Sequence, residues 1–320
     1  MTRDQRENRD RKHPWDEALA AKINELIKLE DRSQTAMAKE IGVGAAVFNQ
    51  WLQGKYTGRN DEVQIKVMRW LDARDSEQEL KSKLPADLDW VRTPSANAVS
   101  AALGFSQMAG AISVIYGGAG MGKTTAIKVY CRRSPNVWVV TASPTVSMPG
   151  PILLRIAAAL GSRTTGHLHQ VEESIIERVK DTRGLLVIDE AQHLSHRALD
   201  TIRAIHDATG VGIVLCGNEI VYAQLTGGNR SVGFAQLFSR VAKRVRLSKP
   251  QAGDIDAILD AWQITDKPTR KFCHGIGMRP GALRGLSQTI RLANLFAKQS
   301  DLPLSLDIIR DAWADLGGDA

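Results

Sequence analysis

Each scarcity in this chain of 320 residues narrows what it can be. Cysteine occurs only at Cys131, Cys216 and Cys273, isolated and odd in number. That excludes a disulfide framework and a zinc site, and predicts a reducing cytoplasm. No apolar run is long enough to span a bilayer, and the first residues are polar rather than a signal peptide, so no membrane role is expected. His193, His196 and His206 lack the spacing of a metal set. Acidic residues are absent between Glu219 and Asp254, while Arg230, Arg240, Lys243, Arg244, Arg246 and Lys249 fall there.

That last absence accounts for part of the net charge of +7. Basic and acidic residues balance over residues 1–100, so the excess lies further on. A basic stretch without counter-charge suits a polyanion, either nucleotide phosphates or DNA, with a solvated basic face as the plain alternative. Apolar content of 43% and charged content of 24% are ordinary for a soluble protein long enough for two or three domains.

What the chain does have is centred on residues 117–125. Gly117-Gly118-Ala119-Gly120-Met121-Gly122-Lys123-Thr124-Thr125 follows the apolar run Ala111–Tyr116, read as a buried strand, and precedes a helix. Strand, glycine-rich loop, Gly-Lys-Thr and helix together make a phosphate-binding P-loop. Glycines let backbone N–H groups converge on phosphate oxygens, and the helix N-terminus adds its positive end. Lys123 is expected to reach the β- and γ-phosphates and Thr124 to hold Mg²⁺, so the chain is expected to bind ATP.

A second strand, Gly184–Ile188, runs into Asp189 and Glu190. This is the Walker B pattern. Asp189 would hold the Mg²⁺ water shell and Glu190 would polarise the attacking water. The strand Val211–Gly217 ends in Asn218, which either orients the γ-phosphate or merely caps a turn. Alternating strands and helices imply an α/β fold, a parallel sheet with helices on both faces, over residues 96–250. Residues 251–320 read as a helical lid, in which an arginine near the hinge, within Met278–Arg284, could sense the γ-phosphate.

The N-terminal residues read differently. Residues 1–13 are expected to fray, and 1–75 to form an all-α domain. Within it, Gln34–Val43 and Gly44–Leu52 fit a helix-turn-helix, with Ala38 at the helix contact, Gly42 at the turn, and Phe48 and Trp51 inward. Its second helix carries no Lys or Arg. Only Asn49 and Gln50 could read base edges, with Lys55 and Arg59 on phosphates, so specific readout, non-specific DNA contact and protein interaction all stay open. Residues 76–95, charged and holding Pro85 and Pro94, read as a linker.

The order of P-loop, Asp-Glu strand, strand ending in Asn, arginine-rich helix and helical lid resembles the AAA+ ATPases. Within them the chain is similar to the MuB-type family, the target-selection ATPases of phage Mu-like transposition. The specific part is Leu225-Thr226-Gly227-Gly228-Asn229-Arg230, Phe238-Ser239-Arg240-Val241-Ala242-Lys243-Arg244 and Pro280-Gly281-Ala282-Leu283-Arg284. Lys55-Tyr56-Thr57-Gly58 and Arg69-Trp70-Leu71 look like that family's N-terminal domain. The resemblance implies an ATP-dependent, largely sequence-independent binder of double-stranded DNA, working in the bacterial host cytoplasm at the nucleoid. Such proteins form helical filaments on DNA, deliver it to a transposase and stimulate strand transfer, and hydrolysis clears them. Arg240 or Arg244, expected one helical turn apart on a shared face, would complete a neighbour's site, with Arg240 favoured. Arg284 would be the phosphate sensor of the lid, with Arg279 in reserve. Arg230, Lys243 and Arg246 are the further candidates for DNA. Rival readings are a helicase loader, a nucleotide-gated repressor and a secretion-associated ATPase.

Overall fold

A computed structural model describes residues 14–83, 90–162, 164–226 and 239–318. They belong to two compact units, Met1–Pro85 and Ala86–Ala320. No helix among the described residues is long and apolar enough to cross a membrane.

The first unit holds four described helices: α1 (Glu17–Leu29), α2 (Gln34–Ile41), α3 (Ala45–Leu52) and α4 (Asn60–Lys83). The carboxylate of Asp16 caps α1 by accepting the Leu19 N–H, and the Ser33 hydroxyl does the same for α2 from Ala36. Gly42 ends α2 in the left-handed region at φ 75°, which turns the chain directly into α3. Ile23, Met37, Ala38, Phe48, Trp51 and Val67 are fully buried together, and Phe48 stacks on Trp51. Helix α4 continues to Lys83, through residues the sequence reading assigned to a turn-rich linker. Charge alone does not break a helix, and no Pro or Gly occurs between Asn60 and Lys83.

The second unit alternates. After α5 (Pro94–Ala109) come β1 (Ile112–Gly117), α6 (Lys123–Arg133), β2 (Val137–Thr141), α7 (Pro149–Leu160), α8 (Leu168–Val179) and β3 (Leu185–Asp189). A short 3₁₀ turn (Ala191–His193), α9 (His196–Thr209), β4 (Gly212–Gly217), α10 (Glu219–Thr226) and β5 (Val241–Leu247) follow. The strands form one parallel five-stranded sheet in the order β2-β3-β4-β1-β5. Strands β1, β3 and β4 are buried on both faces, as a helix-covered parallel sheet requires. On one face Ile112, Val114, Leu186, Ile188 and Ile213 pack with α7, α8 and α9. On the other, Ile115, Val187 and Val214 pack with α5 and α6.

The stretch from Val241 to Leu247, expected as an arginine-rich helix, is the edge strand β5. Its burial alternates residue by residue, with Ala242, Arg244 and Arg246 exposed between more covered neighbours. Period two is the signature of a strand, and β-branched Val241 and Val245 favour it. Arg240 and Arg244 therefore do not share a helical face.

Four helices close the unit: α11 (Ala252–Ala261), α12 (Lys267–Gly277), α13 (Ala282–Gln299) and α14 (Leu306–Asp315). They share a core of Ile255, Leu259, Leu286, Ile290 and Ile309. Fully buried Asp254 joins this layer to the start of α5. Its carboxylate accepts the Ser95 N–H and hydroxyl, each at 2.7 Å, and the Gln251 N–H at 2.8 Å.

Candidate nucleotide site

The loop between β1 and α6 is shaped by glycines at the positions that need them. Gly117, at φ 146°, lets the Leu247 carbonyl of β5 approach and accept the Gly118 N–H at 3.1 Å, and a Cβ there would collide with that carbonyl. Gly120, at φ 77°, lies against the Gly281 carbonyl, again with no room for a Cβ. The loop is thus fixed by β5 on one side and by the start of α13 on the other. The Arg284 N–H donates to the Gly120 carbonyl at 3.2 Å.

Inside the loop the Lys123 ammonium donates to the Gly117 and Gly118 carbonyls at 2.9 and 2.8 Å. One residue on, the Thr124 hydroxyl donates to Asp189 Oδ2 at 2.8 Å, which joins two motifs far apart in sequence. Asp189 is buried at the end of β3, and its Oδ1 accepts the Glu190 N–H at 3.0 Å. The hydroxyl and carboxylate are hard oxygen donors of the kind Mg²⁺ takes. Beneath them sits the Cys216 thiol of β4, pushed well above its usual range by burial and then by the neighbouring Asp189 charge.

A cavity of about 560 Å³ opens over the loop, between it and the helical layer. Lys123, Thr124, Glu190 and Arg284 line its polar part, and Trp90 and Trp262 its apolar end. The two tryptophans were not singled out from sequence, because nothing local marks them as neighbours of residues 117–125. Arg279 is placed elsewhere, its guanidinium 5.6 Å over the Trp313 ring in a second cleft.

Asn218 stands just beyond β4, as expected, and its Oδ1 accepts the Ile220 N–H at 2.9 Å, the turn-capping arrangement. Its own N–H donates to Gln192 Oε1 at 3.3 Å, while Gln192 Nε2 donates to Glu190 Oε2. Gln192 is the residue sequence reasoning missed. Only its place two residues after Glu190 hinted at it.

The remaining candidates are dispersed. Arg240 precedes β5 and pairs with Asp207 at 3.1 Å, its side chain about half exposed. Val241 lies beside Ile112 and Leu247 beside Gly117, so Arg240 is a strand's length, roughly 20 Å, from its own loop. Arg246 pairs with Glu219 at 3.4 Å, and Lys243 lies 5.6 Å over the Phe105 ring on the opposite face. In the N-terminal unit Gln50 and Lys55 are exposed, Asn49 accepts from Gln53 at 2.8 Å, and Arg59 pairs with Glu62 at 2.7 Å. Arg230 lies outside the described residues.

Residues 239–316 match the family described as Mu B transposition protein, C terminal, and residues 107–225 match an AAA domain. The chain is 33% identical over 302 residues to the ATP-dependent target DNA activator B of Escherichia phage Mu, covering 93% of this chain and 95% of that protein. It is 34% identical over 282 residues to the Mu-like prophage FluMu DNA transposition protein B of Haemophilus influenzae, covering 86% and 96%. Among solved structures, a chain of Drosophila ORC bound to DNA is similar in fold, with a TM-score of 0.53 and 16% identity. That likeness covers 76% of this chain and 66% of that one.

Proposed function

The chain belongs to the Mu B transposition protein family, and from that premise we propose that it is an ATP-dependent activator of target DNA in Mu-like transposition. The loop N–H groups and Lys123 hold the triphosphate, with Trp90 and Trp262 beside its base. Thr124 and Asp189 hold Mg²⁺, which when bound neutralises charge on the phosphates. Glu190 takes up the proton of the attacking water. Arg284, tied to the loop through Gly120, senses the γ-phosphate and carries that state into the helical layer.

Arg240 acts on a neighbour. It lies too far from its own loop to stabilise charge there, so it completes the site of the next subunit. A contact in which one face of a subunit meets a different face of the next is head-to-tail, and gives a helical filament when it does not close. The ATP-loaded filament follows the phosphates of double-stranded DNA with little regard to sequence. It presents that DNA to the transposase and stimulates strand transfer, and hydrolysis releases it. The exposed Arg244 and Arg246 face, with Lys55 and Arg59 of the first unit, supplies candidate phosphate contacts.

One observation carries this reading. The likeness to the phage Mu activator runs over 93% of the chain, which takes in most of Met1–Pro85 as well as the ATPase unit. Electron microscopy with ATP and random-sequence DNA tests it: continuous ATP-dependent filaments are expected, and discrete oligomers at one sequence would contradict the proposal.

A further inference from the structure

We propose that Gln192 is the positioning residue of the hydrolytic step, aligning the Glu190 carboxylate and coupling it to the end of β4. This rests on the ATPase reading above and adds to it a residue that neither sequence motif contains. Its amide spans two strand ends. Nε2 donates to Glu190 Oε2, and Oε1 accepts the backbone N–H of Asn218 at 3.3 Å.

The orientation of that amide is dictated by its neighbours rather than chosen. A backbone N–H only donates, so the amide atom facing Asn218 has to be the oxygen. That leaves the NH₂ facing a carboxylate, which when ionised only accepts. Both ends agree on one orientation, and glutamine supplies both. A glutamate at position 192 would keep the shape and the acceptor toward Asn218 but set a carboxylate against the Glu190 carboxylate.

The backbone has been shaped to admit this bridge. Glu190 is held at φ 55°, in the left-handed region that non-glycine residues rarely adopt, and it opens the 3₁₀ turn that sends Gln192 back toward β4. At the end of β4 stands Gly217, where a Cβ would collide with Gln192 Oε1 and press on Val221. A strained glutamate and a side-chain-free strand end thus meet at the same amide. Asn218 in turn caps the start of α10 through its Oδ1, so a shift at the end of β4 reaches Glu190 through Gln192. A base mis-aimed by an ångström loses on the order of a hundredfold in rate, so such a bridge governs turnover rather than binding.

The test is steady-state ATPase kinetics of the full chain for wild type, Gln192→Glu and Gln192→Ala, with nucleotide affinity measured separately by fluorescent-ATP titration. Both variants are expected to lower kcat by about tenfold or more while KM and nucleotide affinity stay within about twofold. Gln192→Glu is decisive because it fills the same volume and should fold. If Gln192 only fills space beside Gly217, Gln192→Glu will turn over like wild type, and the inference is overturned. A matching loss of nucleotide affinity in both variants would also overturn it, since that marks a distorted loop. Wild type and Lys123→Ala run alongside, all with saturating DNA and at a protein concentration that assembles the chain: no turnover by wild type there would remove the ATPase reading itself, a result separable from normal turnover by Gln192→Glu.

Discussion

At the scale of single residues, the candidate side chains sort by their distance from the loop between β1 and α6. Lys123, Thr124, Asp189 and Glu190 converge within one chain, and their two motifs were plain in the sequence because each is local. Arg240 is different, being at the far end of β5 from its own loop and paired with Asp207. Arg240→Ala should therefore bind ATP normally but hydrolyse it poorly, since a guanidinium of this kind contributes roughly 10³–10⁵ in rate. Mixing locates the role. A Lys123→Ala subunit has no working site but still carries Arg240, so adding it to Arg240→Ala should restore activity. No recovery, with both variants folded and co-assembling, would place the hydrolytic arginine elsewhere. Glu190→Gln should likewise keep ATP binding and lose turnover, leaving DNA complexes that dissociate slowly after dilution, and unchanged turnover would remove Glu190 from the mechanism.

At the scale of elements, a buried joint ties the helical layer to the start of α5, whose Thr93 and Ala96 neighbours line the cavity. Asp254 caps α11 and holds the start of α5 through Ser95, 159 residues away in sequence. Asp254→Asn preserves size but offers a single acceptor where three donors converge, and each buried donor left unmet costs about 1–3 kcal/mol. The variant should melt several degrees lower, at roughly 2–4 °C per kcal/mol for a unit of this size, and show a raised KM for ATP. Thermal unfolding and initial-rate kinetics check both, and a wild-type melting temperature would show the joint to be dispensable. Elements of this unit were legible where a single period or motif dominated, as in β1, β3 and the helices from α11 on. The helix expected over β5 came with the resemblance to AAA+ ATPases, whereas Val241, Val245 and Leu247 at period two mark a strand. The Asp254–Ser95 joint and the Trp90–Trp262 end of the cavity depend on tertiary contact, which no local pattern records.

At the scale of the whole molecule, the chain holds two compact units. Each has its own core, that of the first built on Phe48 and Trp51. A chain lacking residues 1–85 should still bind ATP with unchanged affinity, because every residue lining the cavity lies beyond them. It should bind DNA more weakly, measured side by side with the full chain. If the isolated first unit held all the DNA affinity, the ATPase unit would have no part in the DNA path. Under the proposed function, nucleotide loading switches on DNA binding that ignores sequence. Fluorescence anisotropy on two duplexes of unrelated sequence, titrated with and without ATP over a range of salt, tests it most directly. Tight, equal binding to both duplexes is expected only with ATP, with loss of that binding in Lys123→Ala and affinity falling with salt at a log–log slope of about 0.9 per phosphate contact. Affinity indifferent to ATP, or a strong preference for one duplex, would contradict it.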